Sequence, residues 1–138
     1  MDQAGNCGAA AGLPGKVMTT DERFHPRERL RLRSEFRRVY EARCKRGDGR
    51  LIVYIARNEL GRVRLGLSVS RRAGDAVRRN RLRRKIREAF RRSKADWPAG
   101  LDIVCVVAAA PADGYDVSGA FRRFVGQAAE RLRRLHKD

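Results

Sequence analysis

The side chains best placed to do chemistry in this sequence are guanidiniums, and the chemistry they offer is the binding of anions. They concentrate in Ala76-Val77-Arg78-Arg79-Asn80-Arg81-Leu82-Arg83-Arg84-Lys85-Ile86-Arg87-Glu88-Ala89-Phe90-Arg91-Arg92, where Glu88 is the only acid. Arginine presents a planar fork of donors that matches phosphate oxygens in pairs and can stack on a base. At 3.6 residues per turn, Leu82, Ile86, Ala89 and Phe90 fall on one face of a helix, and Asn80, Arg84, Arg87 and Arg91 on the opposite one. Arg81 and Lys85 flank the cationic face on one side and Arg83 on the other. A solvated face stabilised by i,i+4 ion pairs alternates in sign. This one does not, so its neighbouring cations repel one another until an anion lies across them. The stretch reads as a helix with a dry side for packing and a cationic side for nucleic acid.

Bond-breaking chemistry has no comparable support. The two histidines, His25 and His136, stand near the chain ends, without cysteines or carboxylates at ligand spacing. No serine or cysteine has a base at a recognisable spacing, and the 16 acids are scattered, mostly beside arginines. Cys7, Cys44 and Cys105 are odd in number and far apart, which gives neither a disulfide framework nor a C-x-x-C metal pair. Cys44 and Cys105 read as small buried hydrophobes, and a reducing, cytoplasmic location is the simplest expectation. The net charge of +17 opposes compaction and points to a polyanionic partner. A membrane is the weakest candidate, because no apolar run approaches the ~20 residues needed to cross one. Residues 1–17 also lack the charged and apolar segments of a secretory signal.

A second set of residues suits single-stranded nucleic acid. Arg62 to Ser70 alternates strictly: Val63, Leu65, Leu67 and Val69 point one way, and Arg64, Gly66, Ser68 and Ser70 the other. The second face is small and hydrophilic, and Gly66 leaves room on it for a close-lying ligand or backbone. Phe36, Tyr40 and Tyr54 are either core residues or stacking platforms for bases, each stacked base contributing ~1–3 kcal/mol. A DNA-reading helix usually belongs to a helix-turn-helix. Asn80 fits that weakly, and no second helix precedes at turn distance. A basic helix beside a sheet fits RNA better.

The elements that must position these residues can be read in order. Residues 1–28 are expected to be a disordered extension, rich in Gly, Ala and Pro and then in charge, with one domain over 29–138. Ser34 is a candidate N-cap for a helix to about Arg43. Gly47-Asp48-Gly49 is a turn, 50–56 a strand, and Asn58-Glu59-Leu60-Gly61 a hairpin connection. Strand 62–70 leads through the basic loop 71–75 into the arginine helix. Trp97-Pro98-Ala99-Gly100 is a loop, 101–109 a buried strand, and 117–135 an amphipathic helix. The order αββαβα gives an α+β fold, a single-domain sandwich on a small mixed sheet.

The run Arg64-Leu65-Gly66-Leu67-Ser68-Val69-Ser70-Arg71-Arg72-Ala73-Gly74-Asp75-Ala76-Val77-Arg78-Arg79-Asn80-Arg81-Leu82-Arg83-Arg84 resembles the signature of the bacterial ribonuclease P protein subunit. Arg79-Asn80-Arg81 is similar to that family's RNR motif, and the likeness extends from about Leu30 to Leu135. It implies a left-handed β-α-β crossover around the arginine helix, against the usual right-handed rule. It also implies a function. The protein would assist a catalytic RNA, with bound Mg2+ held mainly by RNA and substrate, in removing the 5′ leader of precursor tRNA. Carried over by position, Arg71, Arg72, Arg78, Arg79, Asn80, Arg81, Arg83, Arg84, Arg87 and Arg91 would bind ribonuclease P RNA. Phe36, Tyr40, Tyr54, Arg64 and Ser68 would line a cleft for the leader. The implied partners are ribonuclease P RNA and precursor tRNA, with no membrane and no obligate protein partner. Two departures stand out: Tyr40 occupies a position where Phe is common, and Asp75 one where Asn is usual. On charge and size alone, a ribosomal or other structural RNA-binding protein, a DNA-binding regulator and an RNA-independent nuclease are the alternatives.

Overall fold

The computed structural model describes residues 25–137, so residues 1–24 of the expected extension lie outside it. Four strands form one mixed sheet: β1 (Cys44–Gly47), β2 (Leu51–Arg57), β3 (Arg64–Val69) and β4 (Leu101–Val107). Their spatial order is β1-β2-β4-β3, with β4 antiparallel to β2 and parallel to β3. β4 takes a central place because Leu-Asp-Ile-Val-Cys-Val-Val is apolar on both faces, and only a strand covered on both sides can bury such a run. The three long helices are α1 (Arg33–Glu41), α2 (Ala76–Ser93) and α3 (Val117–Lys137).

Two apolar clusters place the helices. Leu82, Ile86 and Phe90 of α2 and Phe121, Val125 and Ala128 of α3 pack with Val53, Ile55, Leu65, Ile103 and Cys105 on one face of the sheet. Val39 and Phe36 of α1 pack with Leu30, Ala56 and Val104 on the other. The sheet therefore separates α1 from the arginine helix. Cys44 and Cys105 are buried, as their type suggests, and burial pushes the Cys105 thiol up.

The α+β class stands, and local details differ from the sequence reading. The order is αβββαβα, because β1 adds a short edge strand paired with β2 from Cys44↔Ile55 to Gly47↔Ile52. Arg43, at φ 58, makes the left-handed joint that turns α1 into it. Asn58 to Gly61 is not a hairpin connection, since β2 and β3 are kept apart by β4. Ser34 is not the cap of α1. The N-cap position is Leu32, two residues earlier, and Glu35 carries the first turn by accepting from the N–H groups of Leu32 (3.0 Å) and Arg31 (2.9 Å). Residues 25–28 of the expected extension contact the domain. Pro26–Glu28 forms a 3-10 turn whose Glu28 is 8% exposed and accepts Lys94 Nζ at 2.9 Å. The next residues join the edge of β3, where Leu30 N–H donates to Leu65 O at 2.9 Å.

Candidate nucleic-acid interface

α2 begins at Asp75, whose carboxylate accepts the Arg78 N–H at 2.9 Å as an N-cap. The departure from Asn thus keeps an oxygen acceptor at that position. With Leu82, Ile86, Ala89 and Phe90 buried, the opposite side forms a shallow groove of about 410 Å³ lined by Asn80, Arg83, Arg84, Arg87, Glu88 and Arg91. Its single acid, Glu88, is shared by Arg91 and Arg92, while Arg83 Nη1 donates to Asn80 Oδ1 at 2.9 Å. Burial holds the Arg87 guanidinium below its usual range, and the nearby charges of Arg29 and Arg83 add to the effect. A charge that faces like charges is stabilised by an anion.

The remaining predicted arginines are distributed around this groove. Arg78 and Arg81 are exposed on the flank shared with Lys85, whose carbonyl is approached by Ser118 Oγ of α3 at 3.5 Å. Arg79 is half-buried, and its Nε has no hydrogen-bond partner. Arg71 and Arg72 are exposed on the 3-10 turn Arg71–Ala73 before α2, where Ser70 Oγ accepts the Arg72 N–H at 3.1 Å.

On the opposite face of the sheet, Tyr40 and Tyr54 meet edge to face with centroids 4.9 Å apart, and Ser68 lies beside the Tyr40 phenol. Burial raises the Tyr40 phenol, so it stays neutral and able to donate. Register extends this patch. Tyr54 stands opposite Lys45 and Val104, and Val106 stands opposite Ile52 and Ser68. Lys45 Nζ lies 5.7 Å from the Tyr54 centroid. Ile52 and Val106 are half-buried and leave apolar surface beside the tyrosines. Lys45, Ile52 and Val106 were not picked out from sequence, because only the β1 pairing brings Lys45 to this face.

Phe36 and Arg64 belong to the covered end of the same face. A Cβ on Gly66 would lie 2.7 Å from Phe36 Cζ and 3.0 Å from Leu30 Cβ, so the glycine makes room for the chain's own ring rather than for a ligand. Arg64 is committed to acids: Nε and Nη2 donate to Asp102 at 2.8 and 2.7 Å, and Nη1 to Glu35 at 2.9 Å. Asp102 also accepts Asn58 Nδ2 at 2.7 Å and Arg38 Nη2. Of the five predicted cleft residues, Tyr40, Tyr54 and Ser68 are therefore gathered at the open end, and Phe36 and Arg64 hold the closed one.

These residues do not fit a magnesium site. Asp102 has both oxygens occupied by cationic or amide donors, and Glu35 is divided between two backbone N–H groups and Arg64. Among the described residues, no group of three or more His, Cys, Asp or Glu is placed to hold a metal. Nor is any helix among them long and apolar enough to cross a membrane.

Comparison with known proteins identifies the family and the fold. The ribonuclease P family profile matches residues 24–131. The ribonuclease P protein component of Thermotoga petrophila is 42% identical over 85 residues, which are 62% of this chain and 73% of that protein. That of Lachnoclostridium phytofermentans is 36% identical over 110 residues, 80% of this chain and 90% of its own. Among solved structures, the Staphylococcus aureus RNase P protein superposes with a TM-score of 0.66 at 29% identity, covering 73% of this chain and 94% of that one. The Thermotoga maritima RNase P protein gives 0.53 at 36% identity, covering 78% and 94%. The chain belongs to the ribonuclease P protein family, the protein components of a ribonucleoprotein endoribonuclease of tRNA processing.

Proposed function

We propose that the groove of α2 docks on ribonuclease P RNA and that the open end of the opposite sheet face receives the single-stranded 5′ leader of precursor tRNA. The observation that carries this reading is the separation of the two surfaces by the sheet. One polyanion can occupy the arginine groove while a second strand stacks on Tyr40 and Tyr54, without competing for the same side chains. Arg83, Arg84, Arg87 and Arg91 pair with phosphates of the RNA subunit. Arg71, Arg72, Arg78, Arg79, Asn80 and Arg81 extend that contact along the loop and the flanks of the helix. Tyr40 and Tyr54 stack bases of the leader, Ser68 offers a hydroxyl, and Lys45 neutralises a backbone phosphate.

Catalysis in this reading belongs to the RNA subunit, which together with the substrate would hold the Mg2+. The protein's residues bind and orient. Their positive charge lets two polyanions approach at lower magnesium, and the leader cleft separates precursor from product. Adding the purified chain to ribonuclease P RNA and precursor tRNA at low magnesium tests this. Stimulated 5′ cleavage that fades with rising salt is expected. No stimulation contradicts the reading, and cleavage by the protein alone would reassign the chemistry to the chain.

A further inference from the structure

We infer that Asp102 is a positioning residue for leader recognition, and that Arg64 and Arg38 serve it rather than the leader. The inference rests on the reading that the leader lies on the sheet face. Asp102 is fully buried at the start of β4 and is the hub of an ion network that ties together three segments. From β3, Arg64 reaches it through two donors and sends its third to Glu35 in the first turn of α1. From the next turn of α1, Arg38 reaches Asp102 with one guanidinium nitrogen and the Arg57 carbonyl with the other, at 2.7 Å. From the loop after β2, Asn58 completes the set, its other Nδ2 hydrogen bond going to Arg62 O at 3.1 Å.

The consequence is geometric. α1 is held to the sheet at two successive turns, both at the Asp102 end, with Phe36 between them seated on Gly66. Tyr40 stands one turn beyond Phe36, so its distance from Tyr54 and Ser68 is set by this anchorage. Along β4, Asp102 and Val106 are four residues apart, roughly 13 Å at strand rise, which separates the anchored end from the open one. The network is also electrically closed. Two guanidiniums meet two carboxylates, so Arg64 and Arg38 have their charge matched within the network rather than by a phosphate. The strand is confined to the open end, where Lys45 is the cation over Tyr54.

Holoenzyme affinity for precursor tRNA, for mature tRNA and of the protein for its RNA subunit should be measured for Asp102→Asn, Arg38→Ala and Tyr54→Ala, singly and with each network variant combined with Tyr54→Ala. Asp102→Asn keeps the shape but leaves two arginines short of charge. Arg38→Ala removes the arm of α1 from its more exposed side, and carries the test if Asp102→Asn fails to fold. The network variants are expected to weaken precursor binding roughly tenfold, leave mature tRNA and RNA-subunit affinity unchanged, and cost much less once Tyr54 is gone, as residues acting through one another do. Unchanged precursor affinity in a folded network variant overturns the inference, as do losses that add in full to that of Tyr54→Ala. If Tyr54→Ala itself leaves precursor affinity intact, the leader reading fails and this inference with it.

Discussion

Arg87 on α2 is an exposed arginine and Arg64 on β3 a half-buried one, and their surroundings are opposite in kind. Arg87 is held below its usual range by burial and by the nearby charges of Arg29 and Arg83. Arg64 is raised above it, first by its hydrogen bonds to Asp102 and then by the charges of Asp102 and Glu35. In the first environment, the single acid of the groove, Glu88, is taken up by Arg91 and Arg92, whereas the second contains two carboxylates bound to Arg64 itself. In the proposed function, the α2 groove draws its affinity from unbalanced charge and must depend on salt. The sheet face has its arginines paired with acids where it is covered and is aromatic where it is open, so in the same proposal its affinity comes from stacking and shape. Counting arginines across the chain would treat the two alike.

The comparison breaks most visibly if the charge of α2 is removed. Arg83→Ala with Arg87→Ala is expected to weaken binding to the RNA subunit on the order of 100-fold at low salt, from two lost charge-assisted contacts. It should also lower the slope of log affinity against log salt by about two. Discrimination between precursor and mature tRNA, measured at saturating protein, should survive. A filter-binding titration at several salt concentrations checks both parts, and an unchanged slope would remove α2 from the interface.

Tyr54→Ala tests the other surface. Precursor affinity is expected to fall by ~1–3 kcal/mol for one lost stacked base, with little dependence on salt. A loss as steep in salt as that of the arginine pair would make the sheet face a second electrostatic surface and erase the contrast. Gly66→Ala acts one step further away. Its Cβ would press on Phe36, displacing α1 at a cost of ~1–3 kcal/mol in thermal or chemical unfolding, together with weaker precursor binding. Equal unfolding midpoints for the variant and the parent would mean that Phe36 yields freely and does not fix the cleft wall.

The smallest effect concerns acid. The N–H groups of Leu32 and Arg31, with Arg64, hold Glu35 below the usual carboxylate value of 4.5. Its contribution to stability is therefore complete above that value and is lost as pH falls through the depressed one. In Glu35→Gln, the loss of unfolding free energy between pH 5 and pH 3 should be shallower than in the parent. The difference is expected to be a fraction of ~1.4 kcal/mol, the free energy of a tenfold change in proton affinity. Identical pH profiles would show that Glu35 does not bind α1 to β3.

What could be read from the sequence follows the range of the interactions. The arginine helix was legible because Leu82, Ile86 and Phe90 repeat at helical spacing beside an almost acid-free face, and every residue of that pattern lies within one element. β1 was not, because Cys44-Lys45-Arg46-Gly47 is a four-residue edge strand with one apolar member and no alternation to detect. The parallel pairing of β3 with β4 was available only through the family resemblance, which implies a β-α-β crossover around the arginine helix, since chain adjacency alone makes a hairpin with β2 the natural expectation. The roles of Gly66 and Arg64 needed tertiary structure. The alternation placed both on the correct face, but Phe36 fills the gap at Gly66, and Asp102, 38 residues from Arg64, takes the charge meant for a ligand. Tyr40, Tyr54 and Ser68 come from three elements, and the family resemblance rather than periodicity joined them.

Photo-crosslinking within the assembled holoenzyme tests the separation of the two surfaces most directly. A photoreactive side chain is placed at position 54 in one protein and at position 84 in another, each with labelled precursor tRNA. Label from position 54 is expected on the 5′ leader, and label from position 84 on ribonuclease P RNA. Crosslinks from position 54 to the RNA subunit, or from position 84 to the leader, would contradict the division of labour across the sheet.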